Sequence, residues 1–180
     1  MADIKHIRKR LGNYNALVER VDAHIRNVET RYAGYIACKK GCDTCCKYLT
    51  LFPVEALAMA CAFRQLSGER QREIRERTEQ NKTGCPLLIN SACALYPVRP
   101  IICRTHGYPI YMEKNGRPRV DFCPDNFIGM TSIPKDALLS IDQLNMTLAV
   151  INRHFLESIE TDLPLPDRMS FLQAVCMLED

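Results

Sequence analysis

The chain has 180 residues, of which 47% are hydrophobic and 25% are charged. This composition is typical of globular proteins and excludes the low-hydrophobicity, high-charge profile of disordered chains. Because a domain commonly holds about 100 to 200 residues, we expect one domain spanning residues 1–180. The net charge of +3 is too small to indicate nucleic acid or an anionic membrane as a partner.

The compartment decides how the cysteines are interpreted. The first residues are basic, but no apolar run follows them as in a signal peptide, and no later stretch is long enough to span a bilayer. We therefore expect a cytoplasmic protein. Because the cytosol keeps thiols reduced, the ten cysteines predict metal or redox chemistry in preference to disulfide bonds.

A long amphipathic helix is predicted at the N-terminus. Apolar residues recur there at every third or fourth position from Ile4 to Tyr35, which is the spacing of one helical stripe. Such a stripe suits a dimeric coiled coil or a helix packed along its own domain, and the second case is commoner. We therefore expect a monomer, or a dimer formed through the N-terminal helix.

Helices and irregular segments alternate in the middle of the chain. A helix is predicted over residues 53–66, with Pro in its first turn, and a highly charged helix over residues 69–80. Between residues 82 and 107, dense Gly and Pro exclude a long helix. The Asn115-Gly116 pair lies between two short strand-like segments and predicts a β-hairpin.

A second long helix and a short last helix are predicted towards the C-terminus. Residues 138–155 show the apolar spacing of a helix, and Pro164 and Pro166 prevent its continuation. A short helix over residues 167–178 follows. The expected fold is mainly α: a single helical domain with one small hairpin, in which an irregular cysteine-rich metal-bound core of residues 38–123 is flanked by long terminal helices.

Eight cysteines cluster in this core and predict metal binding. Soft thiolate sulfur suits zinc and iron, and four thiolates complete a tetrahedral zinc site or hold an iron–sulfur cluster. Adjacent side chains such as those of Cys45 and Cys46 usually point apart, which favours two neighbouring sites over one. The predicted metal ligands are Cys38, Cys42, Cys45, Cys46, Cys85, Cys93, Cys103 and Cys123.

Other candidate residues have weaker predicted roles. Cys61 and Cys176 lie on apolar helical segments, where a free cysteine usually packs as a small hydrophobe in the core. His106 suits zinc or iron as a mixed ligand, but a supporting or surface position is the commoner case.

Charged residues near the cysteines have simple candidate roles. Arg99 and Arg104 flank Cys103 and could donate hydrogen bonds to thiolates or offset their negative charge. Glu55, near the start of its helix, favours the positive end of the helix dipole.

The order of the cysteine motifs resembles that of a known family. CKKGCDTCC from residue 38, CPLL from residue 85, CALYPVRPIICR from residue 93 and a further cysteine at residue 123 are similar to the YkgJ-like cysteine-cluster proteins, which are zinc- or iron-chelating domains. The resemblance covers about residues 38–123. It implies that all eight cysteines chelate zinc or iron, one form being a 4Fe–4S cluster, but it implies no reaction.

Three functions are compatible with these residues. The first is a binding module in which metal holds a loop-rich centre together. The second is an iron–sulfur enzyme, because the spacing of Cys38, Cys42 and Cys45 resembles the cluster motif of radical S-adenosylmethionine enzymes and some family relatives are linked to flagellin lysine methylation. The βα repeats of those enzymes are not predicted here. The third is redox transfer or metal delivery, which requires reactive thiolates.

Overall fold

The computed structural model describes residues 4–80, 84–159 and 165–178. Lys82 and Pro164, which belong to predicted segments, lie outside these ranges, as do the two ends of the predicted domain. The described residues form seven α-helices: α1 Ile4–Arg10, α2 Gly12–Arg31, α3 Pro53–Phe63, α4 Gly68–Gln80, α5 Ile101–Thr105, α6 Ile141–Ser158 and α7 Phe171–Met177. The prediction of a mainly α fold is confirmed.

The strands are short and join distant parts of the chain. They are β1 Thr50–Leu51, β2 Leu88–Ile89, β3 Ala92–Cys93, β4 Ile110–Lys114, β5 Arg117–Asp121, β6 Leu139–Ser140 and β7 Met169–Ser170. The predicted hairpin is β4–β5, and its turn residues Asn115 and Gly116 have φ values of 55° and 69°. Three shorter pairings accompany it: β1 and β2 pair antiparallel with β7 and β3, and β6 pairs with β4 in parallel.

The single N-terminal helix predicted from the sequence is two helices in the structure. Helix α1 ends at Arg10 and α2 begins at Gly12, because the intervening Leu11 has a ψ of 1° and the following glycine has a low helix propensity. The apolar stripe is buried inside the chain's own core, its buried members being Ile7, Leu11, Tyr14, Leu17, Val21, Ile25 and Val28. The stripe therefore packs within this chain, and the oligomeric state stays a prediction.

Helix α3 lies at the centre of the described residues. It is apolar on nearly every side, which is typical of a helix enclosed by protein, and α1, α6 and α7 pack around it. Its Val54 amide donates to the side-chain oxygen of the buried Asn152 in α6 (3.1 Å). This bond satisfies one of the amides at the start of α3 that have no partner within the helix.

Helices α4 and α7 begin where local capping allows. Helix α4 is highly charged, as predicted, and buries Ile74. Helix α7 begins at Phe171 and not at residue 167, because the Ser170 hydroxyl accepts from the Gln173 amide (3.2 Å) while the Gln173 side chain accepts from the Ser170 amide (2.7 Å). This reciprocal capping box defines the helix start.

No helix in the described part of the chain is both long enough and apolar enough to cross a bilayer.

The packing of α6 generates a stability prediction. Phe155 is 2% exposed in the core, so we expect Phe155→Ala to lower the free energy of unfolding by about 3 to 5 kcal/mol through lost burial and a cavity. Val150 on the same helix is 53% exposed, so Val150→Ala should change it by less than about 0.5 kcal/mol. Urea denaturation followed by circular dichroism measures both, and equal losses would show that α6 does not pack as described.

Candidate metal centre

Seven of the eight predicted ligands line one cavity of about 810 Å³. The cavity lies between the irregular segments of the chain and the faces of α2 and α5, and Leu51, Met59 and Phe171 form part of its apolar wall. Cys123 is outside the lining but lies next to Cys38, as described below. The seven lining cysteines are Cys38, Cys42, Cys45, Cys46, Cys85, Cys93 and Cys103.

Two consecutive tight turns present the first four cysteines. The Cys42 amide donates to the Lys39 carbonyl (3.0 Å), and the Cys46 amide donates to the Asp43 carbonyl (2.9 Å). Gly41, in the first turn, has a φ of +97°, a conformation that favours glycine. As a result the CKKGCDTCC segment, which carries four thiols, folds back on itself.

The first group of thiols comprises Cys38, Cys42, Cys45 and Cys123, which we call the outer set. Cys38 and Cys123 flank Gly107: a Cβ placed on this glycine would lie 2.7 Å from the Cys38 sulfur and 3.5 Å from the Cys123 Cβ. The Cys123 amide donates to the Gly107 carbonyl (3.1 Å). Cys42 and Cys45 are exposed, whereas Cys38 and Cys123 are half-buried.

Asn126 holds the outer set together from a buried position with 1% exposure. Its side-chain oxygen accepts from the amides of Ala37 (2.8 Å) and Cys38 (3.2 Å). Its side-chain nitrogen donates to the Gly107 carbonyl (2.7 Å) and to the Cys38 sulfur (3.3 Å). One side chain therefore connects the start of the cysteine loop to the segment beside Cys123.

The thiol pKa values show that the members of the outer set are neighbours. Burial raises the pKa of Cys38 to about 11, the Asn126 hydrogen bond opposes this rise, and the Cys123 and Cys42 thiolates add to it. Burial also raises the pKa of Cys45, with further contributions from Cys42 and Cys123. Negative charge on Cys42 or Cys123 is thus felt at both Cys38 and Cys45.

The second group comprises Cys46, Cys85, Cys93 and Cys103, which we call the inner set, and all four are half-buried. An antiparallel bridge between Lys47 and Gly84 places Cys46 and Cys85 side by side. In the β2–β3 hairpin, Cys93 pairs with Leu88, and Leu88 lies close to Cys85 in the sequence.

Electrostatic interactions join the members of the inner set. Burial raises the pKa of Cys103 to about 12, with further rises from the thiolates of Cys85, Cys93 and Cys46. Burial likewise raises the pKa of Cys46 to about 11, followed by effects of Cys45, Cys85, Asp43 and Cys42. Cys46 is therefore the residue at which the inner set meets the outer set.

Backbone amides donate to two sulfurs of the inner set. Burial raises the pKa of Cys85, while hydrogen bonds from the Leu87 and Leu88 amides lower it. The pKa of Cys93 is raised mainly by burial and lowered by a hydrogen bond from the Leu95 amide. Because such bonds stabilise the anionic form of the thiol, these loops are suited to present thiolates.

Buried side chains anchor the element that carries Cys103. Glu55, which is 2% exposed, accepts from the Ile101 amide at the start of α5 (2.9 Å) and from the Phe52 amide at the start of α3 (3.4 Å). It therefore has the helix-start position predicted from the sequence and also ties α3 to α5.

The two predicted arginines have different roles. Arg99 stacks on the Tyr96 ring, 3.6 Å from its centroid, and its charge lowers the pKa of Cys93 and Cys103. This agrees with the predicted offsetting of thiolate charge. Arg104 instead donates to both carboxylate oxygens of Asp22 (2.8 and 2.7 Å) and to the carbonyls of residues 99 and 97 (both 2.6 Å). These guanidinium hydrogen bonds go to oxygen atoms and not to the thiols.

The remaining candidates lie outside the two sets. Cys61 is buried in α3, as predicted, but Cys176 is exposed on α7, so its predicted core position is wrong. Cys176 lies on the solvent side of a short helix whose core face is formed by Phe171, Ala174 and Val175. His106 is exposed and lines the cavity.

The donor groups suit zinc or iron in type and number. Each set offers four sulfurs, the number that completes a tetrahedral zinc site or holds a cubane cluster. No three His, Cys, Asp or Glu side chains in the described ranges stand close enough to enclose an ion as they are placed. The two sets are thus neighbourhoods of thiols, and rotation about the Cα–Cβ bonds can redirect each sulfur without moving the backbone.

Three residues of this centre were not identified from the sequence: Asn126, Gly107 and Asp22. Asn126 follows Cys123 by three residues, so its position in the same turn was the available signal. Asp22 lies on α2, far from the cysteines in the chain, and no local pattern links it to Arg104.

Comparison with known proteins agrees with this description. Residues 37–124 match a family model described as "CxxCxxCC: Putative zinc- or iron-chelating domain", which confirms the resemblance seen in the cysteine spacing. No curated protein and no solved structure shows a significant match.

The ion pair next to Cys103 generates a second prediction. Arg104 is 6% exposed, so Arg104→Met should leave Asp22 without its partner and lower the free energy of unfolding by about 3 kcal/mol. The matched control is Arg31→Met, because Arg31 pairs with Asp136 at the surface, with side-chain exposures of 67% and 43%. That control should cost less than about 1 kcal/mol in the same urea titration, and equal losses would contradict a buried role for Arg104.

Proposed function

Because residues 37–124 match the CxxCxxCC family model of putative zinc- or iron-chelating domains, we propose that the protein binds zinc or iron through eight cysteines in two neighbouring sites. The outer site is formed by Cys38, Cys42, Cys45 and Cys123, and the inner site by Cys46, Cys85, Cys93 and Cys103. The observation that carries this proposal is the grouping of eight thiols into two sets of four beside one cavity.

The charges around the cavity support thiolate ligands. Four thiolates with one divalent ion, or with a 4Fe–4S cluster in its common oxidised form, carry a net charge of about −2. The cavity wall includes Lys39, Lys40, Lys47 and Arg99. These cations offset part of the negative charge that two loaded sites would place there.

Metal binding would stabilise the irregular centre of a single domain. The ligands come from segments that are distant in the chain and have few strand or helix hydrogen bonds of their own, so shared metal ligands would cross-link them. We propose that residues 1–180 form one domain, with residues 38–123 as its cysteine-cluster core. One hydrophobic cluster running from Ile7 to Leu178 supports this assignment.

The arrangement of the outer set favours binding over radical chemistry. The enzyme hypothesis requires three thiols, those of Cys38, Cys42 and Cys45, and an iron left open for the cofactor. Here Cys123 lies beside Cys38 and supplies a fourth sulfur. The described residues also show no series of strand–helix repeats of the kind that builds a partial barrel. Eight thiol ligands require a reducing compartment, so we place the protein in the cytoplasm.

The two-site proposal predicts a definite metal content. Protein purified without oxygen should contain two zinc ions per chain, or two iron–sulfur clusters if it is coloured. Cys42→Ser or Cys103→Ser should each halve this content, because each variant removes one sulfur from one set. Elemental analysis combined with a visible absorption spectrum measures the content and separates zinc from iron–sulfur at once.

The two cysteines outside the sets are the controls for this measurement. Cys61→Ser and Cys176→Ser should retain the full metal content. A wild-type protein with at most one ion or cluster per chain would contradict two sites, as would complete metal loss in the Cys42→Ser variant alone.

Removal of the metal generates a further prediction. A ligand that binds only the folded state at 1,000 times its dissociation constant contributes about 4 kcal/mol of stability. Chelation should therefore lower the melting temperature and reduce the helical circular dichroism signal, and zinc, but not magnesium, should restore both. A chelated protein that kept its full melting temperature and helicity would exclude a structural role for the metal.

A further inference from the structure

We propose that the two sites differ in function: the inner site holds its metal as part of the fold, whereas the outer site exchanges its metal with thiol-containing or chelating acceptors in solution. This inference rests on the proposed two-site function and extends it to delivery of a soft divalent cation. The observation that carries it is the contrast in exposure and anchoring between the two sets.

The outer set is open to an incoming acceptor. Cys42 and Cys45 are exposed, and both lie in consecutive tight turns. The nearby Lys39 and Lys40 are also exposed and line the cavity. An acceptor can therefore approach the outer sulfurs directly, and the two lysines offset part of the negative charge that it meets there.

The inner set is enclosed and held from several directions. Each of its four thiols is half-buried. Cys93 lies in β3, and Cys103 lies in α5, whose start is tied to α3 by the buried carboxylate of Glu55. Arg104 joins α5 to Asp22 of α2. Opening the inner site would disturb these buried contacts, whereas opening the outer site need only move exposed turns.

Asn126 limits how far the outer site can open. Its side-chain oxygen accepts from the amides of Cys38 and the neighbouring Ala37, and its side-chain nitrogen donates to the Cys38 sulfur, so three hydrogen bonds hold this end of the cysteine loop. Cys38 and Cys123 therefore form the fixed half of the outer site, and Cys42 and Cys45 form the half that an acceptor reaches first.

The transfer is a ligand exchange without a redox step. Each zinc–sulfur bond that breaks is replaced by a bond from zinc to a donor atom of the acceptor. The released thiolate takes a proton from water or buffer, so the oxidation states of zinc and sulfur do not change. Because Cys42 and Cys45 are exposed and Cys38 and Cys123 are half-buried, the bonds to Cys42 and Cys45 are replaced first.

The test follows zinc release from the full-length, zinc-loaded protein to an excess of a chromogenic zinc chelator. We expect two phases of equal amplitude, one ion each, with rate constants that differ about tenfold or more. In the Cys42→Ser variant the fast phase should disappear, while the slow phase and the helical circular dichroism signal should remain. Release of both ions in one phase, or loss of the slow phase in this variant, would overturn the inference.

A second variant distinguishes the sites without removing a ligand. Asn126→Ala should accelerate the fast phase by about 10- to 100-fold, the usual effect of losing a group that supports a metal ligand, and leave the slow phase unchanged. Equal acceleration of both phases would contradict an effect confined to the outer site. The two-site function itself fails if fewer than two ions are bound at the start, so its failure is separable from that of the exchange inference.

Discussion

Negative charge on neighbouring sulfurs is the constraint on which this structure depends. A thiolate that is partly withdrawn from water is unfavourable, and four of them close together repel one another unless a cation lies between them. The raised pKa values of Cys38, Cys46 and Cys103 express this cost directly. A zinc or iron ion bound between the sulfurs, as proposed above, would offset this cost.

The helices serve this centre by bringing distant segments together. Buried polar side chains make the decisive connections, because each has a small number of strong hydrogen bonds that only one arrangement satisfies. Glu55 joins two helix starts, Arg104 joins α5 to α2, and Asn126 joins the cysteine loop to the segment after β5. The apolar core holds the helices, and these three residues set the position of the thiols within it.

Much of this organisation could be predicted from local sequence patterns. Long apolar stripes identify α2 and α6, and Asn115-Gly116 identifies the β4–β5 turn, because helical periodicity and turn chemistry are local properties. The break at Leu11 was not predicted, because a single residue interrupts the helix there. The pairing of β1 with β7 was not predicted, because strands of two residues have no periodicity. The exposed position of Cys176 was missed because burial depends on which helix face meets the core.

The cysteine centre, too, was only partly predictable from the sequence. Clustering of eight thiols could be inferred from spacing, and the assignment of Cys45 and Cys46 to different sites stays a prediction, whereas the proposed division of eight thiols into sets could not be inferred in this way. That division arises from contacts between residues far apart in the chain, such as Gly107 with Cys38. Spacing along a chain limits which residues can meet, but tertiary structure determines which of them do.

Asn126 and Asp22 both lie outside residues 37–124, the segment that carries the family pattern. The stretch that can be recognised by its motif is therefore smaller than the physical unit that makes the centre work. Excising that stretch, or grafting it into another protein, would leave behind the carboxylate that pairs with Arg104 and the amide that supports Cys38. A chain that inherited the motif alone would therefore lack two of the side chains that this structure places against the cysteine segment.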